Sequence, residues 1–250
     1  MNKMLFIFIA FIVFSSDSFS QTPVISYKTI TEKDPAKFYF IQAVYPQIDF
    51  GEEALMGLRG IASDVNYMFD TVVTNMITCF KNEVSEAVNK TSMNGLVSSL
   101  DISANASVIS GNILSADIKE FSSVIANAHP VTLIHTYNYS FESGGLLSSI
   151  SDLFRPGSDY VKYISEYCIN ELRMNAQKQG YTDIDDMIKS GASADANNFS
   201  VWNVNEDSLI ITFNPATVYP HVFGIQKVSI PLANMTDMIN PKGPLSFMFR

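Results

Sequence analysis

The stretch NAHPVTLIHTYNYSFESGGLLSSISDLFRPGSDY, from Asn127 to Tyr160, contains the clearest strand pattern of the chain and decides the fold class. Its odd-numbered positions are mostly apolar: Val131, Leu133, His135, Tyr137, Tyr139 and Phe141. The even-numbered positions between them are polar except for Ile134. Because successive side chains of a strand point to opposite faces, this alternation predicts one apolar face and one solvent-facing face. Gly144 and Gly145 then predict a turn.

Helical and strand patterns on both sides of this stretch complete an α+β class. A long helical segment begins near Asp49 and Glu52, which have the spacing of a capping box. A second helix is expected near residues 158–179, and a short third one ends at Gly191. Further strands are predicted on either side of residues 33–36, three or four times between residues 96 and 141, as a hairpin across residues 205–207, and in residues 222–232. We therefore expect two small sub-domains, with antiparallel strands packed against one long N-terminal helix and against the second helix.

The composition predicts a packed globular protein and argues against a nucleic-acid partner. The chain has 250 residues, of which 47% are hydrophobic and 16% are charged. Lys and Arg number 16 against 25 Asp and Glu, which gives a formal net charge of −9. A nucleic-acid-binding protein needs a basic surface to neutralise phosphates, so this class is not expected. A basic partner is electrostatically easier, although acidic charge also serves solubility.

The N-terminus has the pattern of a signal peptide over residues 1–20. Lys3 provides a positive start, and the apolar run from Met4 to Phe14 is too short to span a bilayer. Small residues at Ser18 and Ser20 predict cleavage between Ser20 and Gln21. The alternative is an uncleaved N-terminal anchor. The signal peptide predicts an exported protein, periplasmic or secreted. No later apolar run reaches a membrane-spanning length, so we expect no membrane span in the mature chain.

The two cysteines, Cys79 and Cys168, lie on predicted helices. Each follows an apolar stripe at helical spacing; for Cys79 the stripe is Val65, Met68, Val72 and Met76. An oxidising compartment permits a disulfide between Cys79 and Cys168, and two buried free thiols are the alternative.

Motifs for catalysis and for metal binding are absent from the sequence. There is no G-x-S-x-G elbow, no H-E-x-x-H pair and no phosphate-binding glycine loop. His129 and His135 would lie about 20 Å apart along an extended strand, too far to share one ion unless the chain folds back at Pro130. We therefore expect a protein that is not an enzyme and holds no cofactor or metal. Because the two carboxylates of a glycosidase need not be neighbours in sequence, a peptidoglycan-acting envelope hydrolase stays the alternative.

Three segments together resemble one known family. They are AVYPQIDF (residues 43–50), AHPVTLIHTYNYSFESGGLLSSISDLFRPGSDYVKYISEY (residues 128–167) and SLIITFNPATVYPHVFGIQKVSIPLANM (residues 208–235). In order and spacing they are similar to the RsiV-type extracytoplasmic domain family. This family occurs in RsiV anti-sigma factors and beside the catalytic domain of PdaC-type peptidoglycan deacetylases. The resemblance covers about residues 36–245.

The resemblance implies an exported, non-catalytic binding module of the bacterial cell envelope, here expected to be free-standing. Its ligand would be a lysozyme-like protein or a cell-wall glycan, that is, peptidoglycan. Residues 21–147 would form a PdaC-like N-terminal sub-domain, and residues 148–250 an RsiV-type C-terminal sub-domain. The candidate ligand-facing or motif residues are His129, Asp152, Tyr219 and His221.

Structural roles are the alternative for these candidates. His129 would then form a hydrogen bond to a backbone carbonyl. Asp152 would accept hydrogen bonds from nearby amides at the start of a helix, beside a buried Phe154. At His221 the chain departs from the family, which usually has a tyrosine there, and this puts any ligand contact at that position in doubt.

The signal-peptide interpretation makes a direct prediction. N-terminal sequencing of the protein exported by a bacterial host is expected to begin at Gln21, because the small residues at Ser18 and Ser20 fit a signal peptidase. Ser20→Arg is expected to block cleavage and leave the chain attached to the membrane. A wild-type chain that keeps residues 1–20 on the membrane would instead establish the anchor.

Overall fold

The structure is a computed structural model that describes residues 22–88, 96–125 and 127–249. The predicted signal peptide and its cleavage site at Ser20 and Gln21 lie outside these residues. Within the described ranges the chain forms two β-sheets and three α-helices, which confirms the α+β class. None of these helices is both long and apolar enough to cross a bilayer.

The larger sheet has six strands in the order of the chain. They are β1 (Val24–Asp34), β2 (Tyr39–Asp49), β3 (Ser98–Ile109), β4 (Ile113–Ser123), β5 (Val131–Ser140) and β6 (Gly145–Leu146). All neighbouring strands are antiparallel except β2 and β3, which are parallel. Parallel neighbours need a crossover connection, and helix α1 (Met56–Val88) lies within that connection.

Helix α1 packs on one face of the large sheet. Its buried side chains recur every three or four residues: Ala62, Val65, Phe69, Val73, Ile77, Phe80, Val84 and Ala87. They form one core with inward side chains of the sheet such as Ile41, Tyr45 and Leu100. Burial of this apolar stripe, more than intrinsic propensity, stabilises such a helix.

Two details of the predicted α1 are wrong. The predicted stripe through Met68, Val72 and Met76 is only half-buried, because the true core stripe lies one position further along the chain. The helix also begins at Met56 rather than near Asp49, because β2 continues to Asp49. The Asp49 carboxylate accepts a hydrogen bond from Gly51 N (2.8 Å) in the turn that follows the strand.

A second hydrophobic core lies on the C-terminal side. It is built around a three-stranded antiparallel sheet of β7 (Trp202–Val204), β8 (Ser208–Phe213) and β9 (Gln226–Pro231), with α2 (Tyr160–Lys178) and α3 (Asp185–Gly191). The end of α3 touches the neighbouring backbone so closely that a Cβ on Gly191 would collide with the Thr217 carbonyl. Gly191 is therefore required by a close approach of two segments.

The smaller sheet lies with its edge strand β7 against the face of the large sheet opposite α1. Trp202 N donates to Thr136 Oγ1 (3.0 Å), and Val204 N donates to Ser115 Oγ (3.1 Å). Asn138 Nδ2 donates to the Trp202 carbonyl (2.8 Å). An edge strand exposes unpaired backbone groups, and here polar side chains of the other sheet bond them.

This arrangement corrects the predicted solvent-facing side of β5. Asn138 and Ser140 are buried, at 2% and 1% exposure, because the C-terminal part of the chain covers that end of the strand. The opposite side faces α1 at Tyr137, whose ring meets Phe69 edge to face at 5.9 Å. The proposed division at residues 147 and 148 stays a prediction; Ile109 and Ile113, from the N-terminal part, pack in the C-terminal core.

The predicted disulfide is not formed in this structure, where Cys79 and Cys168 are both free thiols. Cys79 is exposed on the outer side of α1, so its predicted place on the apolar face is wrong. Cys168 is fully buried in the C-terminal core, and burial raises the pKa of its thiol to about 12.

Thiol labelling tests this assignment. In the native protein one thiol is expected to react, because Cys79 is accessible while Cys168 is buried and protonated. Unfolding is expected to release the second thiol. Cys79→Ser is the matched control and should show no reaction until the protein unfolds. A non-reduced chain without any reactive thiol after unfolding would contradict the structure.

The polar junction between the sheets makes a stability prediction. Asn138→Ala removes the donor to the Trp202 carbonyl and the acceptor for Ser115 Oγ, which lies 2.8 Å from Asn138 Oδ1. Because buried polar groups lose their partners, the free energy of unfolding is expected to fall by about 2–3 kcal/mol in denaturant titrations. Asn234→Ala, at an exposed asparagine, is the control and should change it by less than about 0.5 kcal/mol. Equal effects of the two substitutions would contradict the role of the junction.

Candidate functional site

The two candidate histidines are exposed and lie on separate elements. His129 is in the loop before β5, and His221 begins a short 3-10 turn between β8 and β9. Neither imidazole forms a hydrogen bond with another residue that the structure describes, so the predicted bond from His129 to a carbonyl is not found. His135, by contrast, faces Glu120, with Nε2 3.0 Å from Oε2.

Asp152 and Tyr219 occupy structural positions. The Asp152 carboxylate accepts from Ser149 N (3.1 Å) in a capping box, and Phe154 behind it is buried. The Tyr219 hydroxyl donates to the Leu172 carbonyl at 2.5 Å inside the C-terminal core, and burial raises its pKa. Tyr219 is therefore hidden from any ligand, and the structure assembles no common site from the four candidates.

An uncovered polar surface lies on the large sheet, on the face opposite α1. The alternation along β1, β2 and β3 places these side chains on one face, which we call the open face. Its exposed members are Thr29, Thr31, Gln42, Asp101, Ser103, Asn105, Ser107 and Lys119. The smaller sheet covers the neighbouring part of the same face at β4 and β5, and the remainder is free.

One row of side chains runs across the open face from strand to strand. Thr31 pairs with Gln42, Gln42 with Asp101, and Asp101 with the half-buried Phe121. With neighbouring strands about 4.8 Å apart, the row spans about 14 Å. The side chains of Thr31, Gln42 and Asp101 make no hydrogen bond to other described residues. The row therefore offers free hydroxyl, amide and carboxylate groups next to an aromatic ring.

A groove of about 190 Å³ lies where the open face meets the smaller sheet, and we call it the corner groove. Its lining residues come from β3, β4 and the smaller sheet: Asn105, Ala106, Ser107, Ser115, Asp117, Asn203, Val204, Asn205, Ile210 and Lys227. The groove forms because β7 packs against the sheet face at β4 and β5, and the exposed part of the face next to β7 is left uncovered.

The charged pair of the groove is engaged within the protein. Asp117 accepts from Asn105 Nδ2 at one oxygen (2.9 Å) and from Lys227 Nζ at the other (3.0 Å). With both carboxylate oxygens occupied, Asp117 is poorly placed to act as a general base. The pair instead holds β9 next to β4 at the rim of the groove.

Asn203 has a free acceptor in the groove. Its Nδ2 donates to Ser115 Oγ (3.1 Å) and to the Ala116 carbonyl (3.0 Å). Its Oδ1 has no partner among the described residues, although the residue is only 8% exposed. Within the described ranges the only fully enclosed unpaired side-chain atom is Thr212 Oγ1, so Asn203 Oδ1 is open to the groove.

A second cavity, of about 320 Å³, lies between the β1–β2 turn and the end of α1. Two of its polar lining groups bond Glu32: Tyr39 Oη donates to one carboxylate oxygen (2.5 Å), and Lys81 Nζ lies 2.7 Å from the other. The hydrogen bond to Glu32 and burial raise the pKa of Tyr39 to about 12. Because these groups already have partners, this cavity is a weaker candidate than the groove.

No cluster of three or more His, Cys, Asp or Glu side chains that could hold a metal ion occurs in the part of the chain that the structure describes. The open face and the groove were not predicted from the sequence. The stretch DISANASV, from Asp101 to Val108, alternates polar and apolar residues and is the signal that could have indicated an exposed polar strand face. Asn203 and Lys227 have no such local signal.

Comparison with known proteins gives the C-terminal part a family match. Residues 151–233, about a third of the chain, match the model of a family described as "Protein of unknown function (DUF3298)". The chain is also 30% identical over 115 residues to the peptidoglycan-N-acetylmuramic acid deacetylase PdaC of Bacillus subtilis. That alignment covers 46% of this chain and 24% of PdaC, so the chain matches about a quarter of this relative.

Two solved structures share the fold over most of the chain. A DUF3298 family member from Bacteroides fragilis has a TM-score of 0.60 at 14% identity, over 90% of this chain and 96% of the other. A DUF3298 family protein from Pseudomonas aeruginosa has a TM-score of 0.61 at 10% identity, over 89% and 96%. The predicted resemblance is confirmed at the level of a DUF3298 domain with similarity to PdaC; the more specific assignment to RsiV stays a prediction.

Proposed function

We propose that this protein is an exported, non-catalytic binding module of the bacterial cell envelope that binds cell-wall glycan on the open face. The observation that carries the proposal is the row from Thr31 through Gln42 and Asp101 to Phe121. Sugars present many hydroxyl groups and apolar ring faces. They are bound by unpaired polar side chains next to an aromatic ring.

The similarity to PdaC supports a location at the cell wall. We take the matched quarter of PdaC to be a region outside its catalytic domain, in line with the family resemblance of the sequence. A module of this kind would hold a protein on peptidoglycan. Export agrees with the signal peptide expected over residues 1–20.

The carboxylates near the site support binding rather than hydrolysis. Both oxygens of Asp117 are bonded within the protein, as are both oxygens of Glu206, which accept from Ser110 N (3.0 Å) and Ser110 Oγ (2.9 Å). A glycosidase needs one carboxyl group free to donate a proton and a second one facing it. Asp117 and Glu206 do not provide such a pair. Asp101 has a free carboxylate, but it is the only acid among the exposed members of the open face named above, so no second carboxyl group of that set faces it.

A basic lysozyme-like protein is the second candidate ligand, favoured by the net charge of −9. Opposite charge speeds association and is screened by salt. A basic protein partner would be held mainly by electrostatic attraction and would bind more weakly as salt is raised. Peptidoglycan carries carboxylates on its stem peptides, so its binding to this acidic chain would not weaken with salt. Salt dependence therefore separates the two candidates.

The proposal predicts that the mature chain sediments with purified peptidoglycan sacculi in a saturable manner. Gln42→Arg is expected to weaken this binding about tenfold or more, because the larger side chain covers the middle of the row. Thr74→Arg is the matched control, since it introduces the same residue on the exposed outer side of α1. Circular dichroism should show that both variants fold.

Calorimetric titration with a chicken-type lysozyme at low and at physiological salt completes the test. Sacculus binding that Gln42→Arg removes and Thr74→Arg retains supports the glycan. No sacculus binding together with salt-sensitive lysozyme binding would replace the glycan by the protein partner. Absence of both would overturn the function proposed for the open face.

A further inference from the structure

The corner groove has the chemistry of a subsite for one particular sugar substituent. We propose that it binds a single sugar ring that carries an acetamido group, with the acetamido N–H donating to Asn203 Oδ1. This inference rests on the proposed glycan-binding function and specifies the class of sugar.

The orientation of the Asn203 amide is fixed by its neighbours. Its Nδ2 faces the Ala116 carbonyl at 3.0 Å, and a carbonyl can only accept. Ser115 Oγ already donates to Asn138 Oδ1 (2.8 Å), so it must accept from Asn203 Nδ2. In a flipped amide, Asn203 Oδ1 would face the Ala116 carbonyl oxygen, and two acceptors cannot form a hydrogen bond. The group that Asn203 leaves free is therefore an acceptor, and it requires a donor from the ligand.

Donors for a ligand carbonyl lie in the same groove. Asn205 Oδ1 accepts from the backbone N atoms of Asp207 (3.0 Å) and Ser208 (2.7 Å), which leaves Asn205 Nδ2 as a free donor. Lys227 Nζ bonds Asp117 with one of its three hydrogens. An acetamido group has one N–H donor and one carbonyl acceptor, and the groove has a partner for each.

One apolar side chain of the groove accounts for the methyl group. Ile210 pairs with Asn203 across β7 and β8, so its half-buried side chain lies on the same face of the smaller sheet as the Asn203 amide. Burial of a methyl group against an apolar side chain is favourable. A sugar with a plain hydroxyl at the same position would bond Asn203 but leave Ile210 and the second donor without a partner. The groove therefore distinguishes an acetamido sugar from its hydroxyl analogue.

The size of the groove limits what it can hold. At about 190 Å³ it is smaller than the usual range of ligand pockets, about 300–1,000 Å³, so its volume suits a single ring better than a longer sugar chain. Asn105 and Ser107 belong both to the groove and to the open face. A chain bound along the open face can thus place one of its rings in the groove.

The test compares two disaccharides that differ at this substituent, N,N′-diacetylchitobiose and cellobiose. Each is titrated into the isotopically labelled mature chain up to millimolar concentrations, and side-chain amide and backbone signals are followed by NMR. We expect saturable shifts at Asn203 and Asn205 with the acetylated disaccharide and at least tenfold weaker binding of cellobiose.

Ser107→Arg serves as the blocking variant, because the Ser107 side chain is exposed on the groove wall and forms no hydrogen bond with another described residue. It is expected to weaken binding of the acetylated disaccharide at least tenfold, whereas Thr74→Arg should bind it as the wild type does. Asn203→Asp removes the donors to Ser115 and Ala116 and can disturb folding, so it is used only if its spectrum matches that of the wild type.

The outcomes distinguish this inference from the proposed function. Equal affinity for the two disaccharides, no binding of either, or unchanged binding by Ser107→Arg would overturn the groove assignment even if sacculi bind. Displacement of the disaccharide by the dipeptide L-alanyl-D-glutamate would overturn it too, because the acceptor would then serve a peptide N–H. Failure of the wild type to bind sacculi would instead remove the function on which the inference rests.

Discussion

The contact between the edge of β7 and the face of the large sheet is the interaction on which the rest of the structure depends. Backbone groups buried away from water must be hydrogen-bonded, and an edge strand has a row of them. Ser115, Thr136 and Asn138 bond the N–H and carbonyl groups of β7, and they can do so because their side chains project from the sheet face. This contact fixes the position of the C-terminal core. It also creates the corner groove and leaves the open face beside it uncovered.

The two faces of the large sheet therefore have different physical roles. The face toward α1 is apolar, and its burial provides most of the driving force for folding of the N-terminal part. The opposite face carries hydroxyl and amide groups in rows. Some of these groups form hydrogen bonds with β7, and the others have no partner among the described residues. A shift of one residue in any of these strands would exchange the two sets of side chains, so the register is strongly specified. Asn214 adds to this, because its amide bonds both Ile134 N (2.7 Å) and Ile134 O (3.2 Å) along the outer edge of β5.

Prediction from the sequence was most successful where one short period determines the structure. The strand near residues 131–141, the hairpin across residues 205–207 and the helices were all anticipated, because alternation and helical spacing are local properties. Errors occurred where a distant segment decides the outcome. The polar side of β5 reads as solvent-facing, but the C-terminal part covers it. The sequence pattern predicts Cys79 on an apolar stripe of α1, but the side chains that pack on the sheet lie one position further along the chain. The turn at Ser110 and Gly111, with φ of 45° and 68°, joins β3 to β4. The end of one strand and the start of the next were not predicted at this turn.

By itself the sequence determined the α+β class, the order of the elements, the acidic surface and the resemblance to a cell-envelope domain family. These follow from local periodicity, composition and short motifs, each of which lies within a few dozen residues. Only the tertiary structure decided which polar residues are used for packing and which are free for a ligand. Ser115 and Ser107 are both serines that alternate with apolar neighbours, yet β7 covers the first and the second is exposed. Asn203 and Asn105 meet in the corner groove from strands about a hundred residues apart in the chain. Contacts between such distant residues depend on how the two sheets pack against each other, which no local sequence pattern predicts.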